Sequence, residues 1–319
     1  MPKVLSALLT AATTVGGQAV MEGVMMRSRD RLAIAVRKQS GEILVEIRPW
    51  FSLTTHPWLR KPFIRGFPVL LETLINGIKA LNFSARVAME EDEGGEVGSW
   101  ALAGTLLLSI ALAVGLFVVL PHLFSLLMKW WGLSGDVNSL SFHAWDGLFK
   151  FALFLGYVAS ISLLPDIRRV FQYHGAEHKA IWAYEQGVEL IPQTVRGYSR
   201  LHPRCGTAFL LFVLALSIVL FAVLVPLAMA VYAPSGPVLK QAYVILVKLL
   251  LMVPVSSMAY ELIRMAGRFH ENIVCKLMSC PGMMLQFLTT FEPDDSHLEV
   301  AIAALQGAVE GNRQPCSPS

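Results

Sequence analysis

The sequence predicts a membrane protein, mainly α, with about four transmembrane helices. A cytoplasmic part holds a small β-hairpin element and amphipathic helices. Three observations lead there. Of 319 residues, 55% are hydrophobic and only 15% charged, against roughly a quarter charged in soluble domains. The apolar residues come in blocks, and two of these, 97–128 and 205–239, contain no Asp, Glu, Lys or Arg. Lys and Arg crowd into alternate segments between the blocks, as the loops of a multi-pass protein do. This composition excludes a disordered chain and argues against a purely soluble enzyme. The net charge of +3 gives no case for nucleic acid; the lipid bilayer is the expected partner, with a homo-oligomer possible.

The N-terminal region, 1–97, comes first. Lys3 and a short apolar run open the chain with no clear cleavage site, so no removed signal peptide is read. Gly16, Gly17 and Gly23 enclose Gln18, Ala19, Val20, Met21 and Glu22, which suggests unusual backbone geometry or close packing. Leu32, Ile34 and Val36, then Ile43, Val45 and Ile47, alternate around Gln39-Ser40-Gly41. That is a β-hairpin with one face buried. Phe67, Leu70, Leu71, Leu74, Ile78 and Leu81 recur at helical spacing, with Glu72, Asn76 and Lys79 elsewhere. This helix would lie in the membrane interface or cover the hairpin. Glu90 to Glu96 reads as a solvated linker.

The transmembrane region is 98–264. Spans of the roughly 20 residues that a bilayer requires fit at Trp100–Leu120, Gly147–Leu164, Ala208–Met229 and Gln241–Tyr260. The second needs Lys150 to snorkel, and Pro254 can kink the fourth. Lys and Arg number twelve in 1–97, six in 165–205 and four after Tyr260, but only Lys129 lies in 121–146 and 230–239. Four spans therefore place both termini and the 165–205 loop in the cytoplasm of an inner-membrane protein. Cys205, Cys275, Cys280 and Cys316 then face the reducing side, as free thiols or metal ligands. In the tail, 265–319, helical spacing runs from Ile273 to Phe287, with Pro281-Gly282 splitting it into two short helices. Gly311 to Ser319 reads as disordered.

The chemistry concentrates in the 165–205 loop. Ile167, Val170, Phe171, His174, His178 and Ile181 form one helical stripe, so both histidines should point inward and Glu177 joins them on one patch. His-x-x-Glu-His is the inverted zinc-peptidase pattern: two imidazoles hold the metal and the glutamate is the base. The competing reading is a pair of interior histidines hydrogen-bonded to Glu177 and Glu185. His202 and Cys205 in the same loop could complete a set of three nitrogens and one sulfur, which suits zinc. Otherwise His202 caps a helix and Cys205 is a small buried residue. Glu261, at the end of the fourth span, could be the distant glutamate ligand of that pattern, or only the ion-pair partner of Arg264. Glu22 is a lone acid facing the site or a turn residue. Arg204 or Lys179 could stabilise negative charge in a transition state.

These stretches carry a resemblance. Gly16 to Arg27, Tyr173 to Lys179, His202 to Thr207, Tyr260-Glu261-Leu262, and Pro281-Gly282 with Gln286, Thr289-Thr290, Glu292 to Asp295 and Glu299-Val300-Ala301 resemble the YqhQ-like bacterial membrane proteins, from about Gly16 to Leu305. The resemblance implies a bacterial membrane protein of a family carried as a domain of unknown function and labelled a predicted metal-dependent enzyme. It brings no substrate. The leading expectation is a membrane-embedded zinc hydrolase acting at the cytoplasmic face, with Glu177 as base and His174, His178, His202, Cys205 or Glu261 around the metal. A non-catalytic assembly factor or scaffold with a structural metal or His/Glu cluster is the alternative. An oligomeric transporter is third, because the spans hold few polar residues.

Overall fold

A computed structural model of the chain describes residues 15–89, 99–268 and 273–310. The opening apolar run, the acidic linker, Cys316 and Gly311 to Ser319 lie outside the described residues, as does the side chain of Cys275. Four strands, β1 (Val15–Val20), β2 (Gly23–Ser28), β3 (Arg31–Arg37) and β4 (Ile43–Pro49), form an antiparallel meander in chain order. The expected hairpin is β3–β4. The glycine-rich stretch before it supplies two more strands.

The expectation of one buried face needs correction. Leu32 through Val36 are all buried, because helices cover both sides of the sheet. Met25, Leu32, Ile34 and Val36 pack on Ala80 and Phe83 of α1 (Gly66–Ala88). Val24, Met26, Ala33 and Ala35 pack on the other side against two later helices.

Helix α1 presents a different face from the one its spacing predicts. Its buried positions include Glu72, Asn76, Ala80 and Phe83, while Leu74 and Leu81 are exposed. The polar pair turns inward because it binds the loop after β4. Glu72 accepts from the backbone N–H groups of Leu53 and Thr54, both at 2.6 Å, and Asn76 exchanges two hydrogen bonds with the backbone of Phe51.

Four helices are long and apolar enough to cross a membrane: Gly104–Trp130, Leu140–Ile161, Phe209–Val231 and Pro237–Met265. Leu107, Leu112, Val223 and Leu250 on their outer surfaces are each at least 61% exposed, an apolar exposure that marks a face meeting lipid or a partner. The first runs past the expected end at Leu120. Helix α2 (Ser99–Val114) passes through a π-helical turn, Gly115–Val119, into α3 (Leu120–Trp130). Pro121 directly follows the π-helical turn within this continuous helix, a local adjustment that accommodates the proline's missing N–H, so it does not stop the helix. Helix α4 (Leu140–Ile161) also begins earlier than expected.

Residues 121–146, expected as a loop, therefore place His122, His143 and Asp146 inside the bundle. There Lys248 donates to Asp146 at 2.6 Å and to His122 Nδ1 at 3.3 Å, and Lys150 approaches Asp146 at 3.4 Å. All five side chains are buried. The expectation of few polar residues in the spans is corrected, and Lys150 points inward rather than snorkelling outward.

The rest of the chain joins these parts. Helix α5 (Pro165–Glu185) and the short α6 (Pro192–Val195) precede α7 (Thr207–Val231) and α8 (Pro237–Arg268). Helix α9 (Ile273–Thr289) runs through Pro281 without a break, a correction to the expected two helices, and packs on α7 and α8. Helix α10 (Asp295–Glu310), not anticipated, lies across β2, β3 and α5.

Candidate metal centre

Helix α5 carries the site between the sheet and the bundle. It is buried almost all round from Tyr173 to Ala183, because β1, β2 and α10 pack against it. Gly175 permits one of these approaches. A Cβ there would lie 2.2 Å from the carbonyl oxygen of Phe291, so only glycine lets the segment after α9 cross this closely. The end of α9, which leads into that segment, brings the carbonyl of Thr289 to His174.

Both imidazoles are oriented the same way. His174 donates from Nδ1 to the Thr289 carbonyl at 2.8 Å, and His178 donates from Nδ1 to the Arg200 carbonyl at 2.6 Å. Each Nε2 is therefore left with its lone pair. Nε2 of His174 lies 3.2 Å from Sγ of Cys205, and buried Nε2 of His178 has no hydrogen-bond partner. One donor atom from each of His174, His178 and Cys205 lies within 4.8 Å of the other two. Ligands about 2.0–2.3 Å from a tetrahedral zinc stand about 3.3–3.7 Å apart, so the three donors would draw in slightly around an ion, and a backbone acceptor on the far imidazole nitrogen is the usual support for a metal-bound histidine. The donors fit zinc.

Glu177 completes the patch. It is buried against β1: a Cβ on Gly17 would come within 2.9 Å of its carboxyl group. Gly17 donates its backbone N–H to this carboxyl, yet burial pushes the pKa up to about 8. Its Oε2 is buried with no hydrogen-bond partner. Burial would raise the Cys205 thiol, but the adjacent His178 ring and the contacts with Thr207 outweigh it and hold the thiol below its ordinary value. Burial lowers His178.

The other expected residues fall elsewhere. His202 is one layer out: its ring is 5.7 Å from that of His178, and its Nε2 is 3.7 Å from Glu185. Burial lowers its pKa to about 4. Glu185 also pairs with Arg204. Lys179 is buried and bound to Glu292 at 2.5 Å and to the Arg196 carbonyl at 2.8 Å, so it ties α5 to the segment before α10. Glu261 is held by two hydrogen bonds from Arg65, at 2.7 and 2.6 Å, and is not among the clustered ligands. Glu22 sits in the β1–β2 turn with φ at 50° and binds Arg169 and Tyr173, which fastens the sheet to α5.

Gln286 escaped sequence reasoning in its structural role. It accepts from the backbone N–H of His202 at 2.8 Å and donates to the same residue's carbonyl at 2.9 Å. This clamp holds the segment that delivers Cys205. The clamp and the site lie within residues 61–311, which match the family described as "Protein of unknown function (DUF1385)". The chain belongs to this family. It is also 34% identical to the "Uncharacterized protein YqhQ" of Bacillus subtilis (strain 168), over 94% of this chain and 95% of the relative. No solved structure matches the chain. The YqhQ-like resemblance is thereby established, and the family's description assigns no chemistry to the site.

Proposed function

We propose that this chain is a zinc-dependent hydrolase of the bacterial inner membrane, with both termini and the metal centre in the cytoplasm. The orientation rests on the Lys and Arg bias between the four apolar helices. The chemistry rests on one observation: two imidazoles, each pinned through Nδ1 by a backbone carbonyl, turn Nε2 toward one cysteine thiol. Hydrogen bonding alone needs no such convergence, and it leaves His178 Nε2 buried without a partner.

His174, His178 and Cys205 would hold the metal. Three protein ligands leave a fourth position open, which distinguishes catalytic from structural zinc. Zinc bound there would supply a Lewis acid. Glu177 is the general base. Its free Oε2 lies on the same patch, and a cation beside it lowers the raised pKa toward neutrality, where a carboxylate best takes a proton from an attacking water and returns it to the leaving group. Lys179 and Arg204 already have carboxylate partners, so neither is assigned to the transition state. A substrate reaching this site at the membrane face is an amphiphile, either a peptide or a lipid headgroup.

The test is Glu177→Gln in detergent-purified protein, assayed on a panel of amphiphilic esters and peptides. It should keep its zinc and its melting temperature and lose hydrolysis by about 10²-fold or more. Undiminished hydrolysis in the variant would refute Glu177 as the base. A wild type that holds zinc and hydrolyses nothing on the panel would favour a structural metal.

A further inference from the structure

A second polar site lies on the opposite face of the sheet from the histidines. Gly17 pairs with Met26, and both face α5; the next pair, Gly16 and Arg27, therefore belongs to the other face. Arg27 there lines a cavity of about 370 Å³ with Arg60, Arg65 and Tyr260, a volume within the roughly 300–1,000 Å³ of small-ligand sites.

The guanidinium groups are only partly used. Arg65 is committed to Glu261. Arg27 lies 3.8 Å over the Trp50 ring and spends its Nε on the Arg29 carbonyl, while its terminal amino groups make no hydrogen bond among the described residues. Arg60 spends only its Nε, on the Thr54 carbonyl at 2.6 Å. Two acids also line the cavity. Glu72 is saturated, accepting from Ser52, Leu53, Thr54 and Trp50. The Asp30 carboxylate has no such partner among the described residues. The open valences are thus guanidinium donors and a single carboxylate, that of Asp30, which lies within Coulombic reach of Arg27.

The rim places the cavity at a membrane surface. Tyr260 and Glu261 stand near the end of the apolar helix Pro237–Met265, and Trp58 and Phe63, in the segment that carries Arg60 and leads to Arg65, are 53% and 64% exposed. Aromatic side chains collect at headgroup level. Phe63 also holds φ at 63°, a backbone conformation costly for a bulky residue and of the kind found at ligand clamps.

We infer that this cavity binds a phosphoethanolamine group, with the phosphate on Arg27 and Arg60 and the ammonium on Asp30. Guanidinium recognises phosphate through paired N–H donors. A zwitterion matches a site offering both charges, and the rim favours a lipid headgroup over a soluble ester.

Full-length protein in micelles, titrated with dihexanoyl phosphatidylethanolamine and followed by calorimetry, tests this. Saturable binding is expected, weakened at least tenfold by Arg27→Gln and by the surface variant Arg60→Gln, which should leave the fold intact. Asp30→Asn should remove the preference over dihexanoyl phosphatidylglycerol. Free O-phosphoethanolamine separates the sources: weaker binding than the lipid supports a headgroup site, and equal binding with the same arginine dependence overturns the lipid source. Binding unchanged in Arg60→Gln, or phosphatidylcholine bound as tightly as phosphatidylethanolamine, overturns the proposal.

Discussion

Gly175 and Asp294 show how single residues set up the centre. Any side chain at Gly175 meets the backbone at Phe291, which cannot yield as a flexible side chain could. Gly175→Ala should therefore cost about 1–3 kcal/mol, measured as unfolding in detergent, and should lower zinc retention by displacing the Thr289 carbonyl from His174. Asp294 caps α10, accepting from the backbone N–H groups of Ser296 and His297 at 2.9 and 3.2 Å. Burial alone would raise its pKa, but hydrogen bonds from Ser296 and His297 bring it from the ordinary 3.8 to about 2. The folded value lies below the unfolded one. Its stabilisation is thus complete above about pH 4 and lost as pH falls toward about 2. Asp294→Ala should cost about 1 kcal/mol at neutral pH and flatten that acid limb in a series of melting curves.

At the scale of elements, the helices of the bundle are joined by charge as well as by apolar contact. Asp146 of α4 sits between Lys150 of its own helix and Lys248 of α8. Removing it strands two buried ammonium groups, so Asp146→Asn should destabilise by about 3 kcal/mol or more. Adding Lys248→Met should restore much of that loss in the same denaturation assay. No recovery would mean that the pair does not couple the two helices. Half of this cluster has a local signature, since Asp146 and Lys150 are four residues apart on one helix, but Lys248 stands as a lone charge in an apolar run, and nothing local reveals that it meets the same aspartate. Helix α1 misleads for a related reason. Its apolar residues do recur at helical spacing, but the loop after β4 needs Glu72 and Asn76 as hydrogen-bond acceptors, and that requirement outweighs burying Leu74 and Leu81. The pairing of His174, Glu177 and His178 was legible because three residues within one turn must share a face.

For the whole molecule, the arrangement depends on segments far apart in the chain. Residues of the glycine-rich strand β1, of α5, of the segment before α7 and of the end of α9 meet around one thiol. The sequence shows each donor type, but not that Cys205 comes to His174 and His178 while His202 turns to Glu185 and Glu261 to Arg65. Those choices follow from partners that only the fold supplies: the Gln286 clamp and the Arg65 fork. The same packing puts the histidine centre and the arginine-lined cavity on opposite faces of one sheet, beside four helices long and apolar enough to cross a membrane.

Elemental analysis of detergent-purified wild type beside His178→Ala bears most directly on the metal centre. About one zinc per chain is expected in the wild type and a large loss in the variant, since one of three ligands is gone. A wild type without stoichiometric metal, or a variant that retains it in full, would contradict the assignment.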